Sequence, residues 1–101
     1  MARSPRFDAS DPLLDAPVAE RLDLHGHTTA TAAPLVRGCL ASWARRGPGT
    51  VVHLITGKGR GSRGAPVLRG LVGRMLQGEL RGLVAQWALD DDEGGYKVRL
   101  R

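Results

Sequence analysis

The residues best suited to chemistry fall in one short run, Leu22-Asp23-Leu24-His25-Gly26. In an extended segment alternate side chains share a face, so Asp23 and His25 point the same way. A carboxylate beside an imidazole fixes its tautomer and raises its basicity, as general acid–base chemistry requires. The same pair could contribute two metal ligands, although two do not complete a site. The plainer reading is an Asp that caps the following turn and a His satisfied by backbone.

A second run, Thr56-Gly57-Lys58-Gly59-Arg60-Gly61-Ser62-Arg63-Gly64, lies between an apolar segment and a helical pattern. Glycines let backbone N–H groups turn toward an anion, and a helix N-terminus favours negative charge. Lys58, Arg60 and Arg63 add charge around such a cradle, and the alternative is a plain surface loop. Gly59-x-Gly61-x-x-Gly64 matches a dinucleotide fingerprint. However, no acidic residue ends the next strand at the right distance, and the chain is too short for a doubly wound dinucleotide fold. Ala65 stands where a mononucleotide P-loop would need Lys.

The elements that must position these runs are legible as patterns. Arg21–Leu24 reads as a short strand. Val36, Leu40, Trp43 and Ala44 follow at helical spacing, ending at Gly47-Pro48-Gly49. Pro34 fits the first turn if Thr31 is the N-cap and would kink the helix if Thr28 is, and the sequence leaves both open. Thr50–Thr56 is continuously apolar and β-branched, as in a strand buried on both faces. Ala65–Gln77 reads as a second helix with a stripe of Val67, Leu68, Leu71, Val72, Met75 and Leu76. Arg69 and Arg74 fall off that stripe, where they can touch backbone phosphates. Leu83–Leu89 reads as a strand, Asp90–Gly95 as a solvated acidic turn, and Tyr96–Arg101 as a half-exposed strand. Trp43 and Trp87 fit core positions, and His53 in mid-strand is structural. The order β-α-β-α-β-β predicts an α/β two-layer sandwich: a mixed four-stranded sheet with two helices, the strand–helix–strand units giving parallel neighbours and the last two strands antiparallel. Ligands of open α/β sheets bind beyond the carboxyl ends of parallel strands, which is where both runs would lie.

Composition narrows the partners. The 101 residues suffice for one domain with one core. Residues 1–20, with Pro5, Pro12 and Pro17, read as a flexible tail, and 21–101 as the domain. The net charge of +5 is concentrated in residues 56–81, where Lys58 and five Arg face Glu79 alone. That distribution suits a phosphate-backbone binder. The lone Cys39 excludes an internal disulfide framework and a cysteine-based zinc cluster. No apolar run reaches the roughly 20 residues of a membrane span and no secretory signal is visible, so a soluble, cytoplasmic chain is expected. With four aromatic residues, base stacking is not an obvious recognition mode.

LDLHGHT at Leu22–Thr28, followed by ITGKGRGS at Ile55–Ser62 and by Gly94-Gly95 through Leu100, resembles the small MutS-related (Smr) domain family. The resemblance covers about residues 21–101, in the manner of a stand-alone Smr protein. Members often carry a longer glycine turn before the last strand; here Tyr96 follows Gly94-Gly95 directly. The resemblance implies a sandwich akin to the C-terminal domain of bacterial translation initiation factor three. It also implies nucleic-acid binding, often with endonuclease activity on DNA or RNA. Asp23 and His25 would take the LDLHG role at the active site; Thr56, Gly57, Lys58 and Gly59 would take the TGxG role of substrate contact and catalysis.

The expected function is therefore a nucleic-acid phosphodiesterase. His25 would serve as acid or base, Asp23 would orient it, and Lys58 with the Gly57–Gly59 amides would stabilise phosphoryl charge. A divalent cation, magnesium or manganese, could assist, without a full ligand set being visible. A non-catalytic module for branched DNA or structured RNA is the main alternative, and a protein adaptor docking through its helices is the third. A monomer is the default.

Overall fold

The computed structural model describes residues 13–58, 64–90 and 94–101. Its elements are β1 (Glu20–Asp23), α1 (Thr29–Arg46), β2 (Val51–Ile55), α2 (Ala65–Gln77), β3 (Val84–Asp90) and β4 (Gly95–Leu100). They form the expected α/β sandwich, a mixed four-stranded sheet with two helices, in the strand order β1-β2-β4-β3. β1 and β2 are parallel, whereas β4 is antiparallel to both β2 and β3. Strands joined through a helix are expected to be parallel neighbours. That holds for β1 and β2 but not for β2 and β3, because the final strand returns between them.

Both helices bury their apolar stripes on one face. Val52, Leu54, Tyr96, Val98 and Leu100 of the sheet meet Val36 and Leu40 of α1 and Leu68, Val72 and Leu76 of α2. α1 starts at Thr28, which settles the open choice. Thr31 N–H donates to Thr28 Oγ1 at 3.1 Å and Thr28 N–H donates to Thr31 Oγ1 at 3.0 Å, a reciprocal cap. Pro34 thus lies inside α1, beyond its first turn, and the helix runs on through it. The missing N–H would have bonded Ala30, which is exposed, so water can take its place. Val67, expected in the apolar stripe of α2, is 55% exposed.

The opposite face is not open. Leu13 and Ala16 pack on Val51, with Val18 and Ala88 beside them. Lys97 Nζ donates to the Leu14 carbonyl from beneath this cover. Residues 13–19, read as part of a flexible tail, therefore lie against the sheet: Leu13, Ala16 and Val18 cover strand residues that would otherwise meet water. The first twelve residues are outside the described set. The same cover explains why β4 is almost wholly buried instead of half-exposed. Asp90, expected in a solvated turn, is the last residue of β3 and is buried, 3.8 Å from Nε2 of the fully buried His53.

Two glycine substitutions test this framework. Gly38 sits in α1, and a Cβ added there would meet nothing within 4 Å, so Gly38→Ala should stabilise the protein by about 0.5–1 kcal/mol. A Cβ on Gly95 would lie 2.1 Å from the Leu54 carbonyl oxygen, so Gly95→Ala should cost about 3 kcal/mol. Urea denaturation reads both, and an unchanged midpoint for Gly95→Ala would contradict the β2–β4 register.

Candidate active site at the carboxyl rim of the sheet

The parallel pairing of β1 and β2 brings the two chemistry-bearing runs to one rim. Asp23 is level with Ile55, and Leu24 N–H donates to the Ile55 carbonyl at 2.7 Å. Beyond that point β1 enters the turn Leu24–His27, closed by His27 N–H donating to the Leu24 carbonyl at 3.0 Å. Gly26 takes φ +83° there, a conformation that favours glycine. β2 runs on into Thr56-Gly57-Lys58 at the same edge, and the Gly94–Gly95 turn closes the rim, Gly95 being level with Ile55.

Asp23 and His25 form the pair expected of them. His25 Nδ1 lies 2.7 Å from Asp23 Oδ1, and the His25 backbone N–H donates to the same oxygen at 3.0 Å. Both the catalytic reading and the turn-capping reading thus describe one geometry. A carboxylate only accepts, so Nδ1 carries the proton and Nε2 of the neutral ring is left as an acceptor. The His25 side chain is 71% exposed and that of Asp23 is 52% exposed, so Nε2 can meet a large substrate. These bonds hold the Asp23 carboxyl below its ordinary value of 3.8: the side-chain bond from His25 contributes most and its backbone N–H next, with slight opposition from burial. His27, two residues on, places Nδ1 3.1 Å from Thr31 Oγ1.

The glycine loop is narrower as an anion cradle than its sequence suggests. The Gly94 carbonyl accepts from Thr56 N–H at 2.8 Å, Gly57 N–H at 3.0 Å and Thr56 Oγ1 at 3.1 Å. Thr56 is fully buried, so its hydroxyl braces the loop and is not presented to a ligand. The Gly57 amide is likewise committed. The two chain segments touch back to back: a Cβ on Gly94 would sit 2.8 Å from the Gly57 carbonyl carbon and 2.9 Å from Lys58 N. Local sequence patterns do not reveal this bracing role of Gly94, although the Gly94-Gly95 doublet at a turn is its visible signal. Lys58 is exposed at the rim. Gly59, Arg60 and Arg63 lie outside the described residues. α2 then begins at Gly64 with no side-chain cap, in contrast to the self-capped α1. Its first turn offers few free donors, since Ala65 is fully buried and Pro66 has no N–H. Arg69 and Arg74 lie farther along α2, the first half-buried and the second exposed, and not beside Asp23 and His25.

Other groups do not extend the site. Among the described residues no three His, Cys, Asp or Glu side chains converge to hold a metal ion. The Cys39 thiol is pushed up to about 12 by burial, with Glu20 adding to the shift, which leaves it without nucleophilic character. A shallow cleft lined by residues 16–19, 49–51 and Arg99 lies at the opposite end of the sheet and brings no acid–base pair.

The Asp23–His25 bond has a measurable sign. A depressed folded pKa contributes stability above the unfolded value, and that contribution is lost as pH falls through the folded value. NMR titration of the Asp23 carboxyl should give a midpoint below 3.8, moving upward in His25→Ala. A midpoint indifferent to that substitution would contradict the bond.

A family model described as the Smr domain matches residues 22–98. No curated protein and no solved structure matches the chain at a significant level. No helix among the described residues is long and apolar enough to cross a membrane. The matched span runs from the first residue of the Leu22–Gly26 motif almost to the end of β4, and it takes in the whole rim. The chain belongs to the Smr domain family, a family of nucleic-acid-binding, nuclease-like domains.

Proposed function

We propose that this protein is an endonuclease that breaks phosphodiester bonds in DNA or RNA. The observation that carries this reading is the Asp23–His25 pair, 2.7 Å apart and exposed at the same end of the sheet as Lys58. Nε2 of His25 takes a proton from the attacking hydroxyl or gives one to the leaving oxygen. Asp23 holds the ring in the Nδ1–H tautomer and stabilises the imidazolium formed in transit. The Lys58 ammonium offsets the charge that grows on the phosphoryl oxygens. Arg69 and Arg74 of α2 supply cations for the flanking backbone, the sequence adds Arg60, Arg63 and Gly59 to that set, and Thr56 and Gly57 shape the chain that leads into Lys58.

The commitment of the Gly57 amide and Thr56 hydroxyl to Gly94 favours a second reading, a binding module without cleavage, because it removes donors that a transition state would use. Plasmid nicking and RNA cleavage by the wild type, Asp23→Ala and His25→Ala decide between them. The nuclease reading expects His25→Ala to be slower by about 10²–10⁴-fold, with nucleic-acid affinity little changed. Equal cleavage by all three proteins would overturn it, and binding with no cleavage by any would establish the second reading. In either case Lys58→Ala should weaken binding across sequences and flatten the salt dependence by about one unit; an unchanged slope would remove Lys58 from the interface.

A further inference from the structure

The outer flank of the sheet presents an aromatic surface that the rim does not use. Trp87 and Leu89 are 37% and 39% exposed on β3, at the edge of the sheet and on the side of the helices. The Trp87 ring is nonetheless held. It packs edge-on against Tyr96, with centroids 5.5 Å apart and planes at 66°. Tyr96 Oη in turn donates to the Arg69 carbonyl at 3.1 Å. Gly73 makes room for that hydroxyl, since a Cβ there would approach it to 2.8 Å. The other tryptophan is treated differently: Trp43 Nε1 donates to Glu20 at 2.6 Å, and Arg46 lies 4.1 Å above its ring.

We propose that Trp87 is a stacking platform for an unpaired nucleobase, so that the substrate of the rim carries a single-stranded segment. This rests on the nucleic-acid reading above and names a feature of its substrate. α2 borders the platform and carries Arg69 and Arg74 with no acidic residue. Residues 84–89 of β3 carry no charge at all. A ring joined through Tyr96 to a helix whose only charged residues are cations suits a single strand: the base stacks on the ring and the phosphates meet the positive charge of α2. An apolar protein partner would have no use for those charges. The reach is suitable. Through Val98 and Val52, Trp87 is level with Glu20, three residues before Asp23. Strand spacings of about 4.8 Å and rises of about 3.3 Å put it roughly 15 Å across and 10 Å along the sheet from that carboxylate. Asp23 alternates with core-facing Leu22 and Leu24, so a strand reaching both points crosses the rim past the start of α2.

The test uses the full chain with a short oligothymidylate and a blunt duplex of equal length. In Trp43→Phe, where Trp87 is the only tryptophan, oligothymidylate should quench the emission. Trp87→Leu should weaken oligothymidylate binding about ten-fold and change duplex binding less than about two-fold. Trp87→Phe, which keeps a ring at the site, should fall between and covers the case in which the leucine variant fails to fold. Unquenched emission, or equal single-strand affinity in Trp87→Leu, overturns the proposal. So does a wild-type oligomer that Trp87→Leu disperses with unchanged affinity, which would assign the flank to a second copy of this chain. A wild type that binds neither oligonucleotide overturns the nucleic-acid reading, and this inference with it.

Discussion

The parallel pairing of β1 with β2 is the contact on which the rim depends. β1 has only four residues, and its register on β2 decides what stands beside the Leu24–His27 turn. With Asp23 level with Ile55, the acid–imidazole pair emerges at the end of the sheet where β2 also leaves toward Lys58. Because side chains alternate along a strand, a slip of one residue would turn Leu22 and Leu24 out of the core and Asp23 into it. Burial of Leu24 thus fixes the exposure of Asp23. The core and the site are specified by one periodicity.

The second constraint is the backbone contact between Gly57 and Gly94. Three donors converge on one carbonyl, and the two chain segments approach more closely than any side chain would allow. Gly57 and Gly94 both take positive φ, at +113° and +72°, which glycine adopts without strain. The arrangement fixes where Lys58 leaves the sheet, but it also consumes the donors that a glycine-rich loop would otherwise offer a phosphate. Electrostatics at the rim therefore rest on charged side chains more than on a nest of amides.

The sequence was most informative where one requirement acted alone. The continuous apolar run of β2, the stripe of α2 and the Asp23–His25 spacing each follow from local periodicity, and each stands where its pattern put it save Val67 at the exposed start of the α2 stripe. It was less informative where a distant segment decides the outcome. The insertion of β4 between β2 and β3 is a tertiary choice that no local pattern records. The burial of Lys97 depends on residues 13–19 lying across the sheet, yet that stretch, though apolar, is short and interrupted by Asp15 and Pro17, so it shows no helix or strand period. Trp87 reads as core from its type and strand position, but it stands on the edge strand, where the sheet gives it only one neighbour. Thr56 reads as a ligand contact from its motif, whereas its hydroxyl is spent inside the fold.

The central claim is that nucleic acid meets the protein at the rim where His25, Gly57 and Lys58 adjoin. The most direct measurement is the map of backbone amide shifts as an oligonucleotide is added to the labelled protein. The expected result is that the largest changes fall on His25, Gly57 and Lys58. Changes centred instead on Ala16, Gly49 and Arg99, at the far end of the sheet, would contradict it.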